Sequence, residues 1–213
     1  MKPRFTIISI ICFLPLLTSC LGTITVQYDN EPVARSYVFS DRINCDARIQ
    51  NGLATFYLVV DEEDESVRYY HKGDEEFNKL SLKHKDSFSG RLIEGRPGVF
   101  GHCLAMDFTS IDIVCDKDYD ELHPAGSSLA DIVTYEAISI FPWIKSGYKS
   151  QKAVYCISKP LSMVEPDDMT MIFPLNFRLS LRSRPQEKSD YSFHITLKTY
   201  DGLIYEIDQD VTF

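Results

Sequence analysis

The sequence predicts an all-β protein, an antiparallel β-sandwich with at most one or two short helices. Three observations predict it. Apolar or alternating runs recur at Leu53 to Val60, Phe108 to Val114, Ala153 to Ile157, Met169 to Leu181 and Tyr191 to Phe213, the pattern of strands that bury one or both faces. Gly, Pro, Asn and Asp cluster between these runs, where the chain must reverse. No window of twelve or more residues keeps a helical stripe, and no repeat of fixed period or low-complexity tract occurs.

The chain opens with a segment that is not expected to join the fold. Lys2 and Arg4 form a basic start, and Phe5 to Leu17 is an apolar run interrupted by Pro15. It is too short to span a bilayer, which takes roughly 20 residues. Leu17-Thr18-Ser19-Cys20 then reads as a lipobox. The expectation is a lipoprotein signal over residues 1–19, cleavage between Ser19 and Cys20, and a covalent lipid on the Cys20 thiol. One acyl chain binds membranes only marginally; a bacterial lipoprotein cysteine carries a diacylglycerol and usually an N-acyl chain, enough for stable attachment. By the sorting rule of enterobacterial lipoproteins, an Asp after the cysteine retains the protein at the inner membrane. Leu21 stands there, favouring the outer membrane. Leu21 to Thr25 holds no acidic surface-export cluster, which favours a periplasm-facing position over the cell surface.

Thr23 to Tyr28 alternates polar and apolar, so a first strand is expected almost at once. Residues 20–22 are then a short tether, and residues 23–213 a single sandwich-like domain. After the Leu53 to Val60 strand, residues 61–97 differ. Asp61 to Glu65 and Asp74-Glu75-Glu76 bracket Tyr69, Tyr70 and His71, and Lys72, Lys79, Lys83 and Lys85 follow. Such mixed charge predicts a solvated hairpin or loop excursion. Adjacent carboxylates in a run rarely converge on one cation.

Asp116, Asp118 and Asp120 start like a calcium loop, but Glu121 stands where the loop needs Gly and Ser127 where it needs an acid. They read as turn carboxylates. Ser128-Leu129-Ala130-Asp131 has capping-box spacing, predicting a short helix from about Leu129. Phe141, Trp143 and Tyr148 are candidate ligand-contact aromatics. On an exposed rim they would stack on a sugar or a partner protein; buried, Trp143 anchors the core, where large aromatics usually sit.

The terminal hairpin is constrained by parity. Tyr191, Phe193, Ile195 and Leu197 share one face, and so do Leu203, Tyr205 and Ile207. A two-residue Asp201-Gly202 loop would oppose Leu197 to Glu206. A three-residue loop, Tyr200-Asp201-Gly202, pairs Leu197 with Tyr205 and Ile195 with Ile207, burying both sets together. It also places Gly202 at the left-handed position of a bulged turn.

Removing Lys2 and Arg4 with the signal leaves 20 basic against 31 acidic side chains, a net charge of −11. This excludes nucleic acid as an expected partner and leaves membrane contact to the lipid. With Cys12 lost and Cys20 lipidated, Cys45, Cys103, Cys115 and Cys156 remain. An even number in an oxidising envelope predicts disulfides among them, with free buried thiols the alternative. Zinc wants closer pairs, and no metal is expected. The five histidines are scattered, and no nucleophile-elbow, zinc-protease or phosphate-loop motif occurs. His102 and Cys103 would lie on opposite strand faces. No catalytic residue is assigned, and no cofactor beyond the lipid is expected.

From about Phe108 onward, Asp118-Tyr119-Asp120, His123-Pro124-Ala125-Gly126-Ser127-Ser128-Leu129-Ala130-Asp131 and Leu197-Lys198-Thr199-Tyr200-Asp201-Gly202 resemble segments of envelope lipoproteins of Gram-negative anaerobes. The resemblance covers roughly half the chain. It implies a β-sandwich without an assigned activity and transfers no functional residue. The expected function is a membrane-anchored, non-catalytic binding or assembly module for an envelope protein. A glycan or surface-ligand binder is the alternative, and an enzyme with a dispersed site the third.

Overall fold

The computed structural model describes residues 25–61, 63–93 and 101–213. The signal, Ser19, Cys20, the tether and the first two residues of the expected Thr23 to Tyr28 strand lie outside the described residues. Strands make up 45% of the described chain, and helices number only two among the described residues, so the class is all-β and sandwich-like. The chain runs β1 (Thr25–Glu31), β2 (Ser36–Phe39), β3 (Asn44–Gln50), β4 (Leu53–Val59), β5 (Arg68–His71) and helix α1 (Glu75–His84). It continues through β6 (Phe88–Ile93), β7 (His102–Leu104), β8 (Phe108–Cys115), β9 (Val133–Ser139) and the short helix α2 (Phe141–Lys145). Strands β10 (Tyr155–Pro160), β11 (Arg178–Leu181), β12 (Asp190–Thr199) and β13 (Ile204–Thr212) complete it.

A five-stranded antiparallel sheet, ordered β10-β9-β11-β4-β3, packs on a three-stranded one, β13-β12-β8. Alternation dictates the contact. Ala54, Phe56 and Leu58 on β4 and Phe193, Ile195 and Leu197 on β12 point inward and are buried, each large side chain contributing about 1.5–3 kcal/mol. Phe56 and Phe193 meet across the gap at 4.9 Å. The terminal hairpin has the predicted register, Leu197 opposite Tyr205 and Ile195 opposite Ile207. Gly202 sits at φ +87° in the turn, a backbone region that costs glycine no Cβ clash. On its other side β12 meets β8 with a bulge, which is why Phe108 faces inward on an even number while Ile111, Ile113 and Cys115 do so on odd ones.

A second, smaller core lies behind the sheet β5-β2-β7. Strand β2 is its shared wall. Tyr37 points into the second core and Val38 into the sandwich core, so successive residues are buried. Strand β7, parallel to β2, repeats this with Cys103 and Leu104. Helix α1 and Trp143 of α2 close the second core, and β1 pairs with β6 as a separate ribbon.

Three sequence expectations are corrected here. The charged stretch 61–97 is no mere solvated excursion. It holds α1, which turns Phe77, Ser81 and His84 inward. The short helix expected from Leu129 is one turn, closed by Ile132 N–H donating to Leu129 O, because β9 begins at Val133 and leaves no room for a second. The run Met169 to Leu181 is broken, with only Arg178–Leu181 a strand. Pro174 lacks the N–H that a ladder requires and instead starts the 3₁₀ turn Pro174–Asn176. Two of the three alternating carboxylates serve local turns as expected. Asp118 accepts from Ala125 N and Asp120 from Leu122 N, at 2.8 and 2.9 Å, whereas Asp116 reaches across to the distant β12 and accepts from Ser192 N at 2.9 Å, so its role is not local.

Candidate functional site

The Pro174–Asn176 turn carries an exposed apolar side chain on fixed supports. Its flanks are stitched to three neighbours. Ile172 O accepts from Leu104 N at 2.8 Å, Phe173 N donates to Ile138 O at 2.8 Å, and Phe177 O accepts from Leu58 N at 3.0 Å. Phe173 and Phe177 are both buried, and between them Leu175 and Asn176 are exposed. Leu175, at the tip, is 75% exposed. A cavity opens on each side of it.

The first, about 170 Å³, is lined by Val38, Val60, Tyr69, His102, Phe173 and Pro174 among others, and by Leu175 itself. Ser36 Oγ and His102 Nδ1 share a 2.6 Å hydrogen bond, and the Tyr69 ring stands edge-on to the imidazole at 5.5 Å. Ser36 is fully buried; its hydroxyl orients the ring rather than facing the cavity.

The second cavity, about 200 Å³, lies on the outer face of the five-stranded sheet and shares Leu175 and Asn176 with the first. Strand register lays a polar row across this face: Ser158, Glu136, Arg178, Tyr57 and Asp46. Arg178 grips Glu136 with two hydrogen bonds, 2.8 and 3.0 Å, the strong geometry for this pair. Those bonds hold the Glu136 carboxyl below its ordinary pKa, against the opposing effect of burial. Arg48 lies 4.8 Å above the Tyr57 ring and 3.0 Å from Asp46. The face is therefore polar but internally paired.

The residues singled out in the sequence lie elsewhere. Trp143 is 4% exposed, 5.1 Å from Phe88 and 4.9 Å from Tyr148, so it anchors the second core. Phe141 and Tyr148 are half-buried against it, and the Tyr148 hydroxyl is engaged by Ser87 N and Lys85 O. Of the two readings the sequence offered, the buried one, with Trp143 anchoring the core, is the one the structure has.

The expected disulfides are corrected, since Cys45, Cys103, Cys115 and Cys156 are all free thiols. Cys45 and Cys156 occupy opposite edges of the five-stranded sheet, roughly 19 Å apart at four strand spacings, where a disulfide needs Cα atoms within about 7 Å. Cys103 is in the second core, and Cys115 in the sandwich core donates to Lys117 O at 2.9 Å. Burial pushes the Cys103 thiol well above its ordinary pKa and the Cys45 thiol up to about 12, the direction opposite to the one that favours a thiolate. As expected, His102 and Cys103 diverge, one to the cavity and one to the core.

A second polar constellation is wholly internal. Asp86 accepts from Val33 N at 2.7 Å, Ala34 N at 3.0 Å and the Tyr37 hydroxyl at 3.2 Å. Burial outweighs these donors and raises its pKa. Nearby, Asp107 meets His84 Nε2 at 2.8 Å and Lys83 Nζ at 2.7 Å. Burial opposes its charge, but those two partners prevail and lower its pKa. The group ties α1 to the body of the protein. Neither Asp86, His84 nor Asp107 lines either cavity beside Leu175.

Sequence reasoning missed Leu175, Glu136 and Arg178. A usable signal existed, since Thr134 and Glu136 alternate with buried neighbours on β9 and mark a solvated outer face. Among the described residues, no helix is long and apolar enough to cross a membrane and no acidic, His or Cys cluster is arranged to hold a metal ion. No family model matches the chain, and no curated protein or solved structure is found similar to it.

Proposed function

We propose that this chain is a lipid-anchored binding or assembly module of the bacterial envelope, attached through Cys20 to the outer membrane and facing the periplasm. It engages a protein partner on the face that carries Leu175. One observation carries the reading: a large apolar side chain, 75% exposed, is held on a turn fixed at both ends between two cavities. A preorganised apolar projection binds without the entropy cost of ordering a loop. The burial of Trp143 removes the feature that spoke for a glycan ligand. The lipobox and the net charge of −11 support lipid attachment without an accompanying basic surface.

The test uses the full chain in its bacterial envelope. Cys20→Ser abolishes incorporation of labelled palmitate and release from the membrane pellet follows. Leu175→Asp keeps both but loses the adduct formed by in-cell crosslinking, whereas Leu122→Asp, at an 84% exposed leucine elsewhere on the surface, keeps it. An unchanged adduct pattern in Leu175→Asp overturns the assignment of the binding face.

A further inference from the structure

We infer that the outer edge of β13 takes on a further strand, an extended segment of another protein in which lysine or arginine alternates with apolar residues. This surface is separate from the Leu175 turn, since β13 lines neither cavity there. Three features carry it.

The first is a row of backbone groups aimed away from the sheet. At the turn Thr199 N donates to Leu203 O at 3.0 Å, and at the far end Phe213 N donates to Ser189 O at 3.1 Å. Hydrogen-bonded pairs alternate along an antiparallel ladder, so in this register the odd-numbered residues of β13 bond to β12. Glu206, Asp208 and Asp210 therefore turn their N–H and C=O groups outward. Among the described residues no strand pairs with them, and the Asp210 carbonyl is met by the neighbouring Gln209 side chain alone. Strand β3 shares a polar cavity with the start of β13, at Asn44 and Ile204 to Glu206, but forms no ladder with it. The opposite edge of the same sheet is covered, Gly126 N donating to Cys115 O and Leu129 N to Ile113 O, each at 2.8 Å. An open row of this kind is what an added strand satisfies.

The second is charge. The side chains of Glu206, Asp208 and Asp210 are exposed, and directly opposite them on β12 stand Thr196, His194 and Ser192. No lysine or arginine faces these carboxylates across the ladder, unlike Glu136 with Arg178 on the other sheet. A second β13 edge would set acid beside acid, which is destabilising. A strand with basic side chains at alternate positions supplies the complement.

The third is alternation. Between the carboxylates, Tyr205, Ile207 and Val211 are buried on the inner face. An added strand sends every second side chain to that same face, so apolar residues there extend the core margin while the basic ones lie outside.

The experiment measures binding to the full-length chain, by fluorescence anisotropy, of labelled peptides as long as β13, nine residues. One alternates lysine with valine, one alternates glutamate with valine, and one has the first composition with its lysines contiguous. The alternating lysine peptide is expected to bind about tenfold or more tighter than the other two. On its addition the amides of Glu206, Asp208 and Asp210 gain protection from hydrogen exchange, while those of Tyr205, Ile207 and Val211, already bonded to β12, do not change. N-methylation of either all its lysines or all its valines blocks one edge of the peptide. One of these two forms should lose about tenfold in affinity and the other keep it. These tests leave the protein unaltered; Glu206→Lys with Asp210→Lys should then turn the preference to the glutamate peptide. Equal binding of the contiguous-lysine peptide, or full binding of both methylated forms, shows attraction to acid without strand addition and overturns the proposal. Protection at other amides, or no binding of the alternating lysine peptide, overturns it as well.

Discussion

In the sandwich core, β4, β9, β11 and β12 send every second side chain inward, and the polar ends of the buried tyrosines reach the margin. Tyr135, Tyr119 and Tyr205 donate to the backbone carbonyls of Asp168, Ser183 and Ser40 at 2.6–2.9 Å. The second core is assembled differently. Its Tyr37 donates to the buried carboxylate of Asp86, and its helix is fastened through His84 and Asp107. One core is apolar within and hydrogen-bonded at its rim; the other has ionisable groups inside. An apolar core gains in proportion to buried area and tolerates approximate fit. A polar network is worth little net when complete and costs heavily when one member is lost. The two cores should therefore fail in different ways.

The largest effect is expected where the first core is densest. Phe193→Ala removes a fully buried ring that touches Phe56, Tyr119 and Phe213. The cost should be about 4 kcal/mol in urea unfolding, as for other buried aromatic truncations, and both circular dichroism and Trp143 fluorescence should report it. A loss below about 1 kcal/mol would mean that the two sheets do not pack as described.

Asp86→Ala tests the second core. It strands the donors on Val33, Ala34 and Tyr37, for an expected loss of about 3 kcal/mol. Trp143, the only tryptophan, sits in this core. Its fluorescence midpoint should fall further than the circular-dichroism midpoint. If the two fall together, the cores unfold as one cooperative unit and the contrast between them is only structural. Asp86→Asn, which keeps an acceptor oxygen, should lose less.

The smallest effect concerns a charged pair at the rim of the first core. His123 presents Nδ1 to Asp120 at 2.6 Å and Nε2 to Asp131 at 2.9 Å, so both nitrogens must carry protons to donate. Burial opposes that charge, but the two carboxylates prevail and raise the pKa. A raised folded value stabilises fully below the unfolded value of about 6.5 and is lost as pH rises through the folded one. Asp120 is lowered by His123 and its backbone donors against burial; its contribution is present above about 3.9 and lost as pH falls through its folded value. His123→Gln should thus differ most from the parent between about pH 4 and pH 6.5, and converge with it in alkali. A difference that grows above pH 8 would contradict the doubly protonated ring.

The same contrast explains what could be read in advance. Leu53 to Val60 and the terminal hairpin were legible because a period of two, checked against loop parity, leaves one register that buries both faces. Helix α1 was not. Its inward stripe reads Phe77, Ser81, His84, and no hydrophobic pattern includes a serine and a histidine that become apolar-facing only through Asp86 and Asp107. Strand β2 is four residues long and buried on both sides, too short a run to declare itself. The candidate site was illegible for a related reason. Leu175 is an ordinary apolar residue in an apolar stretch, and its exposure follows from the inward pull of Phe173 and Phe177 on either side of Pro174.

By itself the sequence determined the β class, the terminal hairpin with its bulged turn, the turn roles of Asp118 and Asp120 and the expectation of a lipid at Cys20. These depend on neighbours a few residues apart, whose geometry is set by local sterics and period. The tertiary structure decided that the four cysteines stay apart, that Trp143 is interior, that a second core forms around buried carboxylates and that Leu175 faces outward. Each of those depends on which distant segments meet. The sites of such meetings, Val33 with Asp86, His84 with Asp107, Ile172 with Leu104, are set by long-range packing that no local pattern encodes.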